Sequence, residues 1–175
     1  MSTDTERTEE NGAFSGYAPP ERRPPFAHYA GLAALFNASA AGAFVAAHRA
    51  GHELPERVDG FDLALAGIAT HKLSRMIAKD KITAFLRAPF TEYEAPGGPA
   101  EVEERARGEG MRRTVGELLI CPYCLGMWLS AGFHLGLMTA PRATRTAASI
   151  LTALTLSDFL QIAYRAAEQR GLGEE

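Results

Sequence analysis

The sequence predicts an all-α membrane protein. Its expected core is a bundle of four transmembrane helices, the second of them short. A disordered amino-terminal tail precedes the bundle, and a cytoplasmic loop with an interfacial helix interrupts it. Three observations lead there. No Asp, Glu, Lys or Arg stands between Arg23 and Arg49, or between Glu117 and Arg142. Each gap exceeds the ~20 residues a helix needs to cross ~30 Å of hydrocarbon. A third run, Thr146 to Tyr164, is broken only by Asp158. The basic residues, finally, are divided unevenly among the segments that join these runs.

At 175 residues and 46% hydrophobic content the chain has the size of one domain. Mean hydropathy is near neutral at -0.11, because the amino-terminal tail and the Lys79 to Arg113 loop are dense in charge. A net charge of -3, with 18 Lys and Arg spread along the chain and no stripe of interleaved aromatics, argues against nucleic acid as a partner.

Residues 1–24 form the expected tail. Met1 to Glu10 is acidic and polar and lacks the basic and apolar regions of a secretory signal. Pro19-Pro20 and Pro24-Pro25 flank charges and cannot hold a helix. The helical membrane domain is expected over 25–170, with spans at 27–48, 61–78, 118–140 and 146–166, and a short tail at 171–175. Ala34, Ala38, Gly42 and Ala46 recur every fourth residue in the first span, and Gly132 with Gly136 forms a small-xxx-small pair in the third, so backbones could approach closely. Asn37 and Ser39 make the first span weakly hydrophobic, and a soluble Ala-rich helical bundle is the alternative. The second span is apolar mainly from Leu63 to Ala69 before it meets His71, Lys72 and Arg75, so an interfacial helix is the alternative there.

Between the second and third spans, Ile82, Phe85, Leu86 and Phe90 alternate with Lys81 and Arg87, which suits a short helix lying on the inner surface. Pro96-Gly97-Gly98-Pro99 ends it, and Glu101 to Gly110 is too charged to pack alone. No strand pattern and no internal repeat stand out.

Charge sets the expected topology. Arg7, Arg22 and Arg23 in the tail, seven basic residues from Lys79 to Arg113 in the central loop, and Arg165 and Arg170 near the end fall on one face. The other face has Arg49, Arg57, Arg142 and Arg145. Twelve against four places both termini and the central loop in the cytoplasm, for a multi-pass protein of the bacterial cytoplasmic membrane whose first partner is the lipid bilayer.

Cys121-Pro122-Tyr123-Cys124 holds the only two cysteines. It copies the active-site tetrapeptide of glutaredoxins, and Pro122 at a first helical position would put Cys121 at the cap, where amide dipoles lower a thiol's pKa. In a redox reading Cys121 attacks and Cys124 resolves. The strands of a thioredoxin-like domain are missing from the pattern around it. A zinc reading needs further ligands. His48 and His52 have helical spacing but belong to the opposite face, whereas His71 lies in the same half as Cys121 and Cys124. The third reading packs both thiols as small buried residues at the head of a spanning helix, with Trp128 at interface depth. A stable disulfide is not expected at a cytoplasmic-side position.

Counting ~1.5 Å per residue from the outer ends puts Asp158 ~18 Å into the fourth helix and Lys72 about as deep in the second. A carboxylate in hydrocarbon needs a partner, so Lys72 or Arg75 is expected to neutralise Asp158, with His71 beside them. This intramembrane cluster serves either as a polar site or proton path, or as an ion pair that locks two helices.

Two stretches together carry a family resemblance. The first runs from Leu63 through His71-Lys72-Leu73-Ser74-Arg75 to Asp80-Lys81-Ile82 and Leu86-Arg87-Ala88-Pro89-Phe90; the second is Gly116-Glu117-Leu118-Leu119 followed by Cys121-Pro122-Tyr123-Cys124-Leu125-Gly126-Met127-Trp128. They resemble the bacterial domain-of-unknown-function 1360 family over roughly Phe61 to Tyr164. The resemblance implies a small multi-pass membrane protein without an established activity, linked to sporulation in one spore-former member.

The sequence shows no phosphate-binding glycine loop, Ser-His-Asp set or zinc-protease helix motif. The expected function is that of a non-enzymatic envelope or partner-binding component without a cofactor, with a homodimer or another membrane protein as partner. A membrane thiol oxidoreductase or metal-binding protein using Cys121 and Cys124 is the alternative.

Overall fold

A computed structural model describes residues 16–19 and 24–172. The expected disordered tail at 1–24 lies mostly outside the described residues, as do residues 173–175. The described residues are mainly helical, with one small sheet.

Helix α1, Phe26–Arg49, is built largely from Ala and other small residues. It stops at Gly51, whose φ of 91° suits a residue without a side chain. There the His52 amide donates to the Ala47 carbonyl at 3.1 Å, so the last turn closes on itself.

Helix α2, Gly60–Lys79, is capped by Asp59, whose carboxylate accepts from the amides of Phe61 and Asp62. It carries more charge than α1 and is the most enclosed of the long helices. Leu65, Ala66, Ala69, Ser74 and Ala78 are all buried along it. Leu65 and Ala69 meet Ala148 of the last helix, with Phe133 and Leu151 packed around them.

The segment after α2 corrects the expectation of an all-α chain. A 3-10 turn at Lys81–Thr83 and the one-turn helix α3, Ala84–Arg87, stand where a longer interfacial helix was expected. Then β1, Thr91–Pro96, pairs antiparallel with β2, Val102–Ala106. The register runs from Thr91 opposite Ala106 to Pro96 opposite Val102, with an irregularity between Tyr93 and Ala95. The Pro96 to Pro99 stretch is therefore the hairpin's turn region, and the charged residues beyond it pack as its second strand. Cross-strand charge makes this possible: Arg105 Nη2 donates to Glu92 Oε2 at 2.8 Å.

Helix α4, Gly110–Leu119, leans on β2. A side chain at Gly116 would collide with the Phe90 carbonyl oxygen and sit 3.0 Å from Ala106 Cβ, so glycine permits the contact. Helix α5, Pro122–Thr139, follows after a break at Ile120 and Cys121, and the two helix axes differ by 77°. The third expected span is thus divided at its head, because the Pro122 ring cannot continue the preceding helix. Helix α6, Pro141–Leu172, begins almost at once and is longer than the 146–166 expected.

Helices α1 and α6 are each long and apolar enough to cross a membrane, and the bent α4–α5 pair passes the same test only if taken as one span. Helix α2, expected as the span 61–78, is too polar to pass. At one end of the bundle, here the loop end, α1 and α5 finish and α2 and α6 start. The other is the hairpin end.

Candidate functional site

Helices α2 and α6 run parallel, both from the loop end toward the hairpin end, and are joined by two ion pairs. Near the loop end, Arg145 donates through Nε to Asp62 Oδ1 at 2.8 Å and through Nη2 to Asp62 Oδ2 at 2.6 Å. Two parallel bonds of this kind fix direction as well as charge. Near the hairpin end, Lys72 Nζ donates to Asp158 Oδ2 at 2.6 Å. Of the two expected partners of Asp158, Lys72 therefore takes it. Arg75 turns instead to Glu101 at the hairpin, at 2.5 Å. The Asp62–Arg145 pair is not among the sequence expectations, in which Arg145 stands only as a loop charge. The signal was there: Asp62 is the one acidic residue in α2.

The hairpin end of these helices opens into a cleft of about 720 Å³. Helix α2 contributes His71, Lys72 and Arg75, and Asp80 follows it; α6 contributes Asp158, Gln161 and Arg165. Glu101 and the hairpin's turn close one side, and Phe159 and Ile162 give the cleft an apolar wall. Burial holds the Asp80 carboxyl above its ordinary value; nearby Lys72 opposes the shift, while Glu101 and Asp158 add to it.

Below the hairpin, Arg87 is wholly buried, against the expectation of a surface charge. Its guanidinium donates to Glu104 Oε2 at 2.5 Å, to the Ile77 and Asp80 carbonyls at 2.6 and 3.1 Å, and to Thr83 Oγ1 at 2.9 Å. One side chain thereby ties the end of α2, the 3-10 turn and β2 together. Lys79 Nζ adds an outer contact to Glu103 Oε2 at 2.8 Å.

Cys121 and Cys124 lie elsewhere, at the joint between α4 and α5, and they form a disulfide. This corrects the expectation of two packed thiols. The helix cap explains the pairing: Cys121 is the N-cap of α5, and one turn brings the two Cα atoms to 5.3 Å, within bridging range. The Cys124 amide donates to Cys121 Sγ at 3.2 Å. Tyr123, between them, is 93% exposed.

The zinc alternative finds no support in this arrangement. His71 lines the cleft and the bridged cysteines do not. Tyr29, near the start of α1, donates to Glu117 of α4 at 2.6 Å, which fixes that end of α1 beside the cysteine joint. His48 is 19 residues further along the helix, or ~28 Å, and His52 lies beyond it. Among the described residues no group of three His, Cys, Asp or Glu side chains is placed to hold a metal ion.

Residues 65–164 match the model of a family described as "Protein of unknown function (DUF1360)". The match takes in most of α2, the hairpin, α4, α5 and most of α6, and leaves α1 outside. The sporulation protein YjcA of Bacillus subtilis strain 168 is 28% identical over 107 residues, which cover 59% of this chain and 91% of that protein. No solved structure matches the chain. The match includes three of the four residues of the α2–α6 ion pairs, all but Asp62, and since it spans more than half of the sequence, the chain belongs to the DUF1360 family.

Proposed function

We propose that this chain is an integral protein of the bacterial cytoplasmic membrane, in which α1, α2, the α4–α5 pair and α6 make a four-helix bundle with both termini in the cytoplasm. It acts without catalysis, through partners or as an envelope component. One observation carries the reading: the polarity of the bundle is inverted. The charged helix α2 sits at the centre and spends its charges on ion pairs. The apolar stretches of α1 and α6, in contrast, face outward, with only 6% and 11% of their residues buried. In water that arrangement would leave the hydrophobic faces wet and hide the costly groups. In a bilayer it satisfies both.

The segment after α2 has the same inversion. Arg87 points in, while Ile82 and Phe85 are 78% and 71% exposed, which supports contact of the 81–87 stretch with the lipid headgroup boundary. In the cleft, Lys72 is matched to Asp158 and Arg75 to Glu101; this favours helix locking over catalysis. For the partner we favour another transmembrane helix, from a second copy or another protein. A shallow groove of about 130 Å³ between α1 and α5, lined by Ser39, Ala40, Ala43 and Gly132 among others, supports that choice.

Extraction of membranes with alkaline carbonate tests the reading. The expected result is that the full chain stays in the pellet; recovery in the supernatant overturns it. The relative's name states a sporulation role for that protein, and we extend the process to this chain. The check is whether it restores spore yield to a Bacillus subtilis strain lacking YjcA if that loss lowers it.

A further inference from the structure

We propose that Cys121–Cys124 is a thiol–disulfide exchange site, reduced and re-formed by a dithiol protein or a small thiol that approaches the α4–α5 joint. The inference does not rest on the membrane reading. It stands on three features of the joint. Cys124 is exposed and Cys121 half-buried, and Tyr123 between them projects almost entirely from the surface, so an external sulfur has a path to the bridge. A structural disulfide in a core offers none.

The second feature is electronic. Cys121 is the N-cap of an 18-residue helix, and its sulfur already accepts the Cys124 amide. Negative charge at that sulfur is favoured by the unpaired amides and the positive end of the helix dipole. Cys121 is accordingly the better leaving group, and the exposed Cys124 the sulfur that is attacked. The expectation that Cys121 attacks describes the reverse direction, in which its stabilised thiolate is the nucleophile.

The third is position. Helix α4 is fixed to the hairpin through Gly116 and to α1 through Glu117, and α5 packs chiefly on α2 and also on α1. The bridge closes the first turn of α5 just past the break from α4, so opening it breaks none of these packing contacts.

The exchange balances as follows. The reductant's thiolate attacks Cys124 Sγ, and a new sulfur–sulfur bond forms as the Cys121–Cys124 bond breaks. The electron pair leaves on Cys121 Sγ. The reductant's second thiol, as thiolate, then attacks its own bridged sulfur and releases Cys124 as thiolate. Protons lost by the two reductant thiols match those the protein thiolates take up on protonation. Two electrons have passed from the reductant, now a disulfide, to the protein.

The test uses the purified full chain in detergent, equilibrated across a series of reduced and oxidised glutathione ratios, quenched in acid, alkylated and weighed. The expected result is that two alkylations appear together at a midpoint that is the same from the reduced and the oxidised side. A bridge that persists in excess dithiothreitol until the protein is denatured is a structural staple and overturns the proposal. Thiols that stay free in oxidised glutathione overturn it as well. In a Cys121→Ser variant, Cys124 should hold a glutathione adduct; absence of the adduct in the folded variant means the sulfur is inaccessible and likewise overturns the proposal.

Discussion

At the scale of single residues, burial separates the charges that hold the structure from those that decorate it. Arg87 has no contact with solvent, and the Glu104 side chain is only 7% exposed. Removing one member strands the other in a medium that cannot solvate it, which costs about 3–5 kcal/mol. Arg87→Met should therefore lower stability by about that amount in thermal unfolding of the detergent-solubilised protein. Adding Glu104→Leu should recover most of it, because an apolar pair leaves no orphaned charge. Asp80 behaves differently. Its raised pKa means that the folded state holds the proton more tightly than the unfolded chain, whose carboxyl titrates near 3.8. Its favourable contribution is full below that value and is lost as pH rises through the folded value. The Asp80 side chain makes no capping bond, so Asp80→Asn should stabilise the protein at neutral pH, and the gain should vanish in acid. Unfolding curves of both forms at several pH values check this. Neither residue's role was legible in the sequence, where Arg87 read as a surface charge beside apolar neighbours: the hairpin that covers it is built from residues distant in the chain.

At the scale of elements, the hairpin is the part the sequence concealed most fully. Of β1 and β2 only Thr91 and Val102 are buried, so the strands lack the alternation of apolar residues that marks a half-buried sheet. Their pairing relies instead on opposed charges and on a turn region whose Pro-Gly-Gly-Pro was visible but read as the end of a helix. Two sets of ion pairs hold this hairpin, and they should differ sharply in worth. Arg75–Glu101 and Lys79–Glu103 each keep one side chain well exposed, at 44% and 47%, and such pairs contribute at most about 1 kcal/mol. Glu101→Gln and Glu103→Gln should each change stability by less than that, in the same unfolding assay in which Arg87→Met causes a large loss. The α2–α6 contact presents the opposite case. Counting helical rise placed Lys72 and Asp158 at one depth, which is the kind of relation a sequence does reveal. Asp62–Arg145 escaped because it needs the helix start at Gly60 and the early start of α6 at Pro141. Its doubly bonded geometry makes a charge exchange informative. Asp62→Asn should lower Tm by several degrees, at about 2–4 °C per kcal/mol for a chain of this size, and Asp62→Arg combined with Arg145→Asp should restore part of the loss.

For the molecule as a whole, the placement of charge and the placement of apolar surface lead to one geometry. The runs without charge were legible as long helices because nothing within them competes with the period of a helix. The break at Cys121 was less so, since an apolar run continues across it and only Pro122 marks the joint. If α1, α2, the α4–α5 pair and α6 cross the bilayer, the segment 50–59 between α1 and α2 faces one side and the hairpin turn the other. The 77° bend then lays α4 close to the membrane plane at the hairpin face, where its basic residues Arg112 and Arg113 meet the headgroups. This has a direct consequence for labelling. In a chain with both native cysteines replaced by serine, single cysteines at Glu56 and at Gly98 should react with a membrane-impermeant maleimide from opposite sides. In intact cells Glu56→Cys should label and Gly98→Cys should not; in inverted vesicles the pattern should exchange. Labelling of both from one side would mean that α2 does not cross, and the α2–α6 ion pairs would then join a spanning helix to one that lies at the surface. The polar sequence of α2 makes this the decisive element, because Asp62 and Lys72 are tolerable within the bilayer only while α6 supplies their partners.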